Sequence, residues 1–219
     1  GDIRQFGQSF FIIIVNNALR AFGDELAISA FGVINKLLIF ALMPLIGVAQ
    51  GFQPIAGYNY GARNLARVRK AVRIANSIAV AVSFFYFALI MLFPRVIFGI
   101  FTQDPALLEV GSRAMRIVLI AIPLLGMQLI GAVFFQAVGK AIPALVLSMS
   151  RQIILLIPLV IILPRFFGVT GVWASFPAAD VIATTVTILW LRFEMKKLHI
   201  LGCEEEPELH EGCPDVNVS

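Results

Sequence analysis

The chain predicts an all-α integral membrane protein, a six-helix transmembrane bundle, and three observations carry that prediction. Hydrophobic residues make up 59% of the 219 residues and charged ones only 14%, with a mean hydropathy of +0.91, a composition that would aggregate in water. Charge-poor windows recur near 5–20, 26–52, 71–94, 114–138, 142–163 and 169–191. Most are long enough for a helix rising 1.5 Å per residue to cross a hydrocarbon core of about 30 Å. Finally, Lys36, Arg151 and Asp180 each lie well inside one of these windows, close to mid-membrane. A charge there costs at least ~2.5 kcal/mol on insertion scales, which points to a polar pathway or pocket inside the bundle.

The first window is short and begins almost at Gly1, with no charged leader before it, so a missing upstream portion is expected. The second window exits through Pro44-Leu-Ile-Gly47-Val-Ala-Gln50-Gly51-Phe-Gln53-Pro54-Ile-Ala-Gly57-Tyr58-Asn59-Tyr60-Gly61-Ala62-Arg63. Pro44 and Pro54 each remove a backbone donor, and the glycines permit close contact or turns, so an irregular helix is expected here. Between the second and third windows, Leu65, Val68 and Val72 recur at helical spacing among Arg63, Arg67, Arg69, Lys70 and Arg73. That pattern predicts an amphipathic helix on the membrane surface, with a solvated linker as the alternative. Pro123, Pro158 and Pro177 mark candidate bends in windows four, five and six.

Charge sets the orientation. Arg63, Arg67, Arg69, Lys70, Arg73, Lys140, Arg192, Lys196 and Lys197 flank one side of the spans, nine cations against five on the other (Arg20, Arg95, Arg113, Arg116 and Arg165). The positive-inside rule makes the nine-cation side cytoplasmic, together with the C-terminus, in a multi-pass inner (plasma) membrane protein. The net charge of +4 therefore reports orientation and gives no sign of nucleic acid. Residues 1–198 read as the membrane lobe and 199–219 as an acidic, disordered tail, since Glu204, Glu205, Glu206, Glu208, Glu211 and Asp215 follow Leu198 closely. The tail holds His199, Cys203, His210 and Cys213, in a spacing that matches no zinc pattern, so no metal is expected. Enzyme signatures are absent from the sequence: there is no nucleophile elbow, metalloprotease motif, phosphate loop or dinucleotide fingerprint.

The run Gln53-Pro54-Ile-Ala-Gly57-Tyr58-Asn59-Tyr60-Gly61-Ala62, followed by the basic Arg67-Val68 segment, resembles the multidrug and toxic compound extrusion (MATE) family, in which such a run ends the eighth transmembrane helix. The resemblance continues through Ile100-Phe-Thr-Gln-Asp-Pro105, Phe134-Phe-Gln-Ala-Val-Gly-Lys140-Ala141 and Gly168-Val-Thr-Gly-Val-Trp173, covering about residues 3–195. It implies the second of two six-helix lobes around a central cavity, its first helix truncated and its N-terminal lobe missing. It further implies a cation-coupled (H⁺ or Na⁺) efflux antiporter for amphipathic, often cationic compounds, with drugs or organic cations and the bilayer as partners and no cofactor.

Within that frame, Lys36, Arg151, Asp180, Asn16, Asn17, Gln128 and Gln136 are the candidate substrate and ion pathway, and Gln53, Pro54, Gly57, Tyr58, Asn59, Tyr60 and Gly61 the family motif. Asp180 can pair with Arg151 or Lys36, either to sense protons or simply to align helices. Lys36 is expected to face the cavity, because from mid-span its stem reaches neither interface. Gln8 joins the amides as a packing or lining group. Sodium-coupled relatives place carboxylates in helices seven and ten, where this chain offers only amides. Phe134, Phe135, Met127 and Met149 are candidate cavity residues for flat cationic ligands. Two other readings stay open: a lipid-linked oligosaccharide flippase of related architecture, and a structural membrane subunit.

Overall fold

A computed structural model describes residues 2–205, with side-chain surroundings for 9–147 and 153–198. All of its regular structure is helical: α1 (Asp2–Phe22), α2 (Glu25–Gly61), α3 (Leu65–Leu92), α4 (Pro94–Gly99), α5 (Pro105–Leu119), α6 (Ile122–Ala137), α7 (Ala141–Met149), a π-helical segment (Ser150–Leu156), α8 (Ile157–Ile162), α9 (Pro164–Phe167) and α10 (Val169–Glu205).

Among the described residues three of these helices, α2, α3 and α10, are each long and apolar enough to cross a membrane, and α5 and α6, bent by 46° to each other, are long and apolar enough only when taken together. The bend falls at Ala121, where α5 ends and Pro123 opens α6 as a first-turn proline with no amide to satisfy. The fifth window is broken. It passes through the π-helical turn before Pro158, whose ring clashes with the carbonyl four residues back and whose missing N–H forces the ladder to re-register.

Three expectations are corrected. The second window is a single 37-residue helix running through both Pro44 and Pro54, so the family motif is helical to Gly61. In a membrane bundle, packing against neighbouring helices sustains a helix across a lost hydrogen bond. Within segment 62–73, residues 62–64 form the α2–α3 turn and 65–73 the first turns of α3, capped by the Asn64 side chain accepting from the Arg67 amide at 3.2 Å. Its apolar stripe is real, but Leu65, Val68 and Val72 are buried against Phe52, Phe134 and Leu198 instead of lying on lipid. The tail boundary also shifts: α10 continues past Leu198 to Glu205, and His210, Cys213 and the rest of 206–219 lie outside the described residues.

The α2–α3 and α6–α7 turns share one design. Arg63 N donates to Tyr60 O (3.1 Å) and Asn64 N to Asn59 O (2.9 Å), while Gly139 N donates to Gln136 O (3.2 Å) and Lys140 N to Phe135 O (2.9 Å). Both are Schellman turns, which need a left-handed residue just past the helix. Gly139 (φ 76°) and Arg63 (φ 57°) fill that place. A Cβ on Gly139 would meet no atom within 4 Å, so Gly139→Ala isolates the backbone cost. It is expected to destabilise the lobe by about 1–2 kcal/mol, measured as a lowered midpoint of heat unfolding in detergent.

Candidate functional site

The apolar core is split in two along the bundle. One cluster joins Phe11, Val15 and Leu19 of α1 to Phe31 and Ile34 of α2, Met115 and Leu119 of α5, Leu125 of α6 and Val172–Ala179 of α10. The other joins Leu45–Ala56 of α2, Leu65–Ala79 of α3, Ile130–Phe135 of α6 and Leu198 of α10. Between them, α3 contributes Ser83, α6 contributes Gln128, and α10 contributes Asp180, Thr184 and Thr187, all buried. The bundle thus has a polar waist where an apolar layer would be cheaper, since each polar group taken from water needs a partner.

Two members of the waist lack one: Ser83 Oγ and Thr184 Oγ1 are buried without a hydrogen-bond partner. Thr187 Oγ1 instead donates to the Ala183 carbonyl at 2.8 Å. Helices approach closely here. A Cβ on Gly126 of α6 would stand 2.8 Å from both the Ala79 carbonyl oxygen and Ser83 Oγ, and one on Gly131 would stand 2.4 Å from Thr187 Cγ2. Asp180, 2% exposed, is the one carboxylate among the described residues of the layer, one turn beyond Phe176, whose ring packs with Phe11 at 6.1 Å and Phe31 at 5.8 Å.

The charges expected at mid-membrane are treated differently by the fold. Asp180 is inside the bundle, whereas Lys36 is exposed on α2 and forms no ion pair among the described residues, so the Lys36–Asp180 pairing is not made. The backbone of Arg151 lies in the π-helical segment, which packs against α10; its side chain lies outside the described residues. π-Bulges recur at functional positions because they re-aim one side chain.

Lys36 belongs to a second feature, a face of α2 that nothing among the described residues covers. Gly32, Lys36, Phe40, Met43, Gly47, Gln50, Gly51, Pro54, Tyr58 and Gly61 are exposed at three- and four-residue spacing, and a Cβ on Gly32, Gly47, Gly51 or Gly61 would meet nothing within 4 Å. The motif straddles this face. Tyr58 is 78% exposed and Gln53, Gly57, Asn59 and Tyr60 are half-buried. Gly57 lets the Ala137 carbonyl approach to 3.2 Å of a Cβ position, and Asn59 Nδ2 donates to Ile55 O at 2.8 Å.

On α1, Asn16 is half-buried and Asn17 exposed; Gln128 is in the waist, and Gln136 is exposed beside the α6–α7 turn. Gln8 and Met149 lie outside the residues with described side chains. Phe134 and Phe135 do not line a cavity: both are fully buried in the second core, Phe135 against Trp190. Sequence reasoning missed Ser83, Thr184, Thr187 and Glu194. Three of them were legible, because Asp180, Thr184, Thr187 and Glu194 repeat at four, three and seven residues, one face of a helix. Glu194 is buried and pairs with Lys140.

A family model, MatE, matches residues 3–162. The chain belongs to the MatE family. It is 21% identical over 200 residues to a multidrug export protein, MepA, of Staphylococcus saprophyticus, covering 91% of this chain and 43% of that protein. It is 25% identical over 178 residues to MepA of Staphylococcus aureus, covering 81% and 39%. The chain therefore spans less than half the length of these MatE relatives. Among solved structures, it matches an outward-facing multidrug resistance MATE transporter with a TM-score of 0.83 at 22% identity, covering 90% of this chain and 44% of that one. An inward-facing MATE structure gives 0.82 at 22%, covering 89% and 45%. The shared fold is a partial lobe of a MatE membrane protein, about 44% of the larger chain.

Proposed function

We propose that this chain is the second lobe of a multidrug efflux antiporter, working with a first lobe to export amphipathic, often cationic compounds by alternating access. The observation that carries the reading is the equal likeness to an outward-facing and an inward-facing transporter, with TM-scores of 0.83 and 0.82. A unit that looks alike in both states is one that moves as a rigid body. The uncovered face of α2, with Lys36 at mid-span and Tyr58 near its end, is then the wall that meets the first lobe and the cavity. Glycines open to space on that face supply room for close approach of another helix.

The polar waist is the coupling site in this reading. Asp180 takes up H⁺ or stands beside Na⁺, with the Thr184 and Ser83 hydroxyls ready to donate or accept. Protonating Asp180 removes a negative charge from the layer, which couples ion entry to lobe movement. The lobe sits in the plasma membrane with the α2–α3 turn, the α6–α7 turn and the end of α10 on the cytoplasmic side, the orientation that the positive-inside rule favours for the nine cations there.

The test is dye efflux and drug resistance in a pump-deficient bacterium expressing this chain beside a version extended upstream by a first lobe. Efflux is expected only from the extended protein. Asp180→Asn and Lys36→Ala should each lower it at least ~10-fold, the size of one lost charge contact in a dry site, with the protein still folded and in the membrane. Unchanged efflux in Asp180→Asn overturns the coupling role. No efflux from either protein would favour the oligosaccharide flippase or the structural membrane subunit, and efflux from the short chain alone would mean a homodimer.

A further inference from the structure

An exposed side of α3 carries a feature that the proposed transport does not use. Asn76, Ser77, Val80, Ala81 and Phe84 line an open groove of about 500 Å³, and the Asn76 amide oxygen is buried beside it with no hydrogen-bond partner. One turn nearer the helix start, Lys70 and Arg73 are exposed, and neither forms an ion pair among the described residues. Lys70, Arg73, Ser77, Ala81 and Phe84 follow one another at three- and four-residue spacing, so cations, polar groups and apolar groove lie in line on a single face.

The dimensions identify the occupant. The 28 residues of α3 make a helix of about 42 Å, longer than the ~30 Å hydrocarbon core, so its basic first turns stand at headgroup level. From Lys70 to Phe84 is about 21 Å along the axis, matching the ~20 Å from headgroup surface to bilayer midplane.

We propose that this face holds one anionic phospholipid. Its phosphate rests on Lys70 and Arg73, and an acyl chain lies in the groove over Ser77, Ala81 and Phe84. Paired basic side chains supply the phosphate contacts. Phosphatidylglycerol, with a net negative charge and two acyl chains, meets both requirements, the cation pair and the apolar groove. The inference needs the helices to span a bilayer but does not need the lobe to transport anything.

The experiment reconstitutes the full chain in phosphatidylcholine vesicles doped with phosphatidylglycerol bearing a photoactivatable acyl chain, and in parallel with phosphatidylcholine bearing the same group. Labelling is mapped to the tryptic peptide 74–95, which becomes 70–95 in the variant that lacks the two cations. Labelling by the glycerol lipid is expected to exceed that by the choline lipid at least ~5-fold, the value of one surface cation. Unlabelled phosphatidylglycerol should compete, and the exposed-residue variant Lys70→Gln/Arg73→Gln should abolish the preference. Equal labelling by both lipids overturns the proposal without any mutation, and a preference that survives the double variant overturns the phosphate site. Displacement of the lipid by a cationic dye would assign the groove to a transported compound and would likewise overturn it.

Discussion

Gly126→Val is expected to lower the thermal unfolding midpoint of the lobe more than any other change at a buried glycine of the waist. A Cβ at this position would sit 2.8 Å from the Ala79 carbonyl oxygen, 2.9 Å from its carbon and 2.8 Å from Ser83 Oγ. Two of those three atoms are backbone, so no rotamer change relieves the clash and α3 must separate from α6. Overpacking of this kind costs about 1–3 kcal/mol, and a backbone obstacle puts Gly126→Val at the upper end. The control is Gly51→Ala, where a Cβ meets nothing within 4 Å and the helix gains propensity of up to ~1 kcal/mol. Heat unfolding of both variants in the same detergent checks the difference; equal midpoints would mean that the α3–α6 contact is looser than described.

Lys140→Ala is expected to cost about 2–3 kcal/mol, the low end for leaving a buried charge without its partner. Glu194 is buried on α10, and Lys140 reaches it from the α6–α7 turn with its side chain 31% exposed, which lets water share the load. The pair ties elements 54 residues apart and closes the end of the bundle next to Leu198 and Val138 of the second core. Glu194→Gln in the same chain should recover much of the loss, because a neutral amide tolerates the site without a cation. A double-mutant cycle by denaturation should return a coupling of at least ~1 kcal/mol. Additive effects would show that the pair contributes nothing to holding α10 against the turn.

Lys140 was read from the sequence only as one of nine orienting cations, and Glu194 as nothing at all. Spacing could have placed Glu194 on the face of α10 that carries Asp180, Thr184 and Thr187, but no local pattern marks that face as buried. Lys36 and Asp180 looked equivalent along the chain, each about ten residues into an apolar window. The fold separates them, placing Asp180 inside the bundle and Lys36 on an uncovered face. The amphipathic pattern at 65–72 was legible too, yet its apolar stripe meets Phe52, Phe134 and Leu198 instead of lipid. A hydrophobic stripe reports that a face is apolar; it is silent on whether lipid or protein covers it.

By itself the sequence determined the class, the apolar helical composition and the family. Those follow from composition, from the 1.5 Å rise of a helix and from a motif that is contiguous along the chain. Only the tertiary structure decided that two apolar clusters sandwich a polar waist, that Ser83, Gln128 and Asp180 from three helices share it, and that Lys140 meets Glu194 across 54 residues. These relations depend on helix rotation and neighbour choice. In a chain that is apolar on nearly every side, small residues such as Gly126 and Gly131 set both by deciding which helices approach closely.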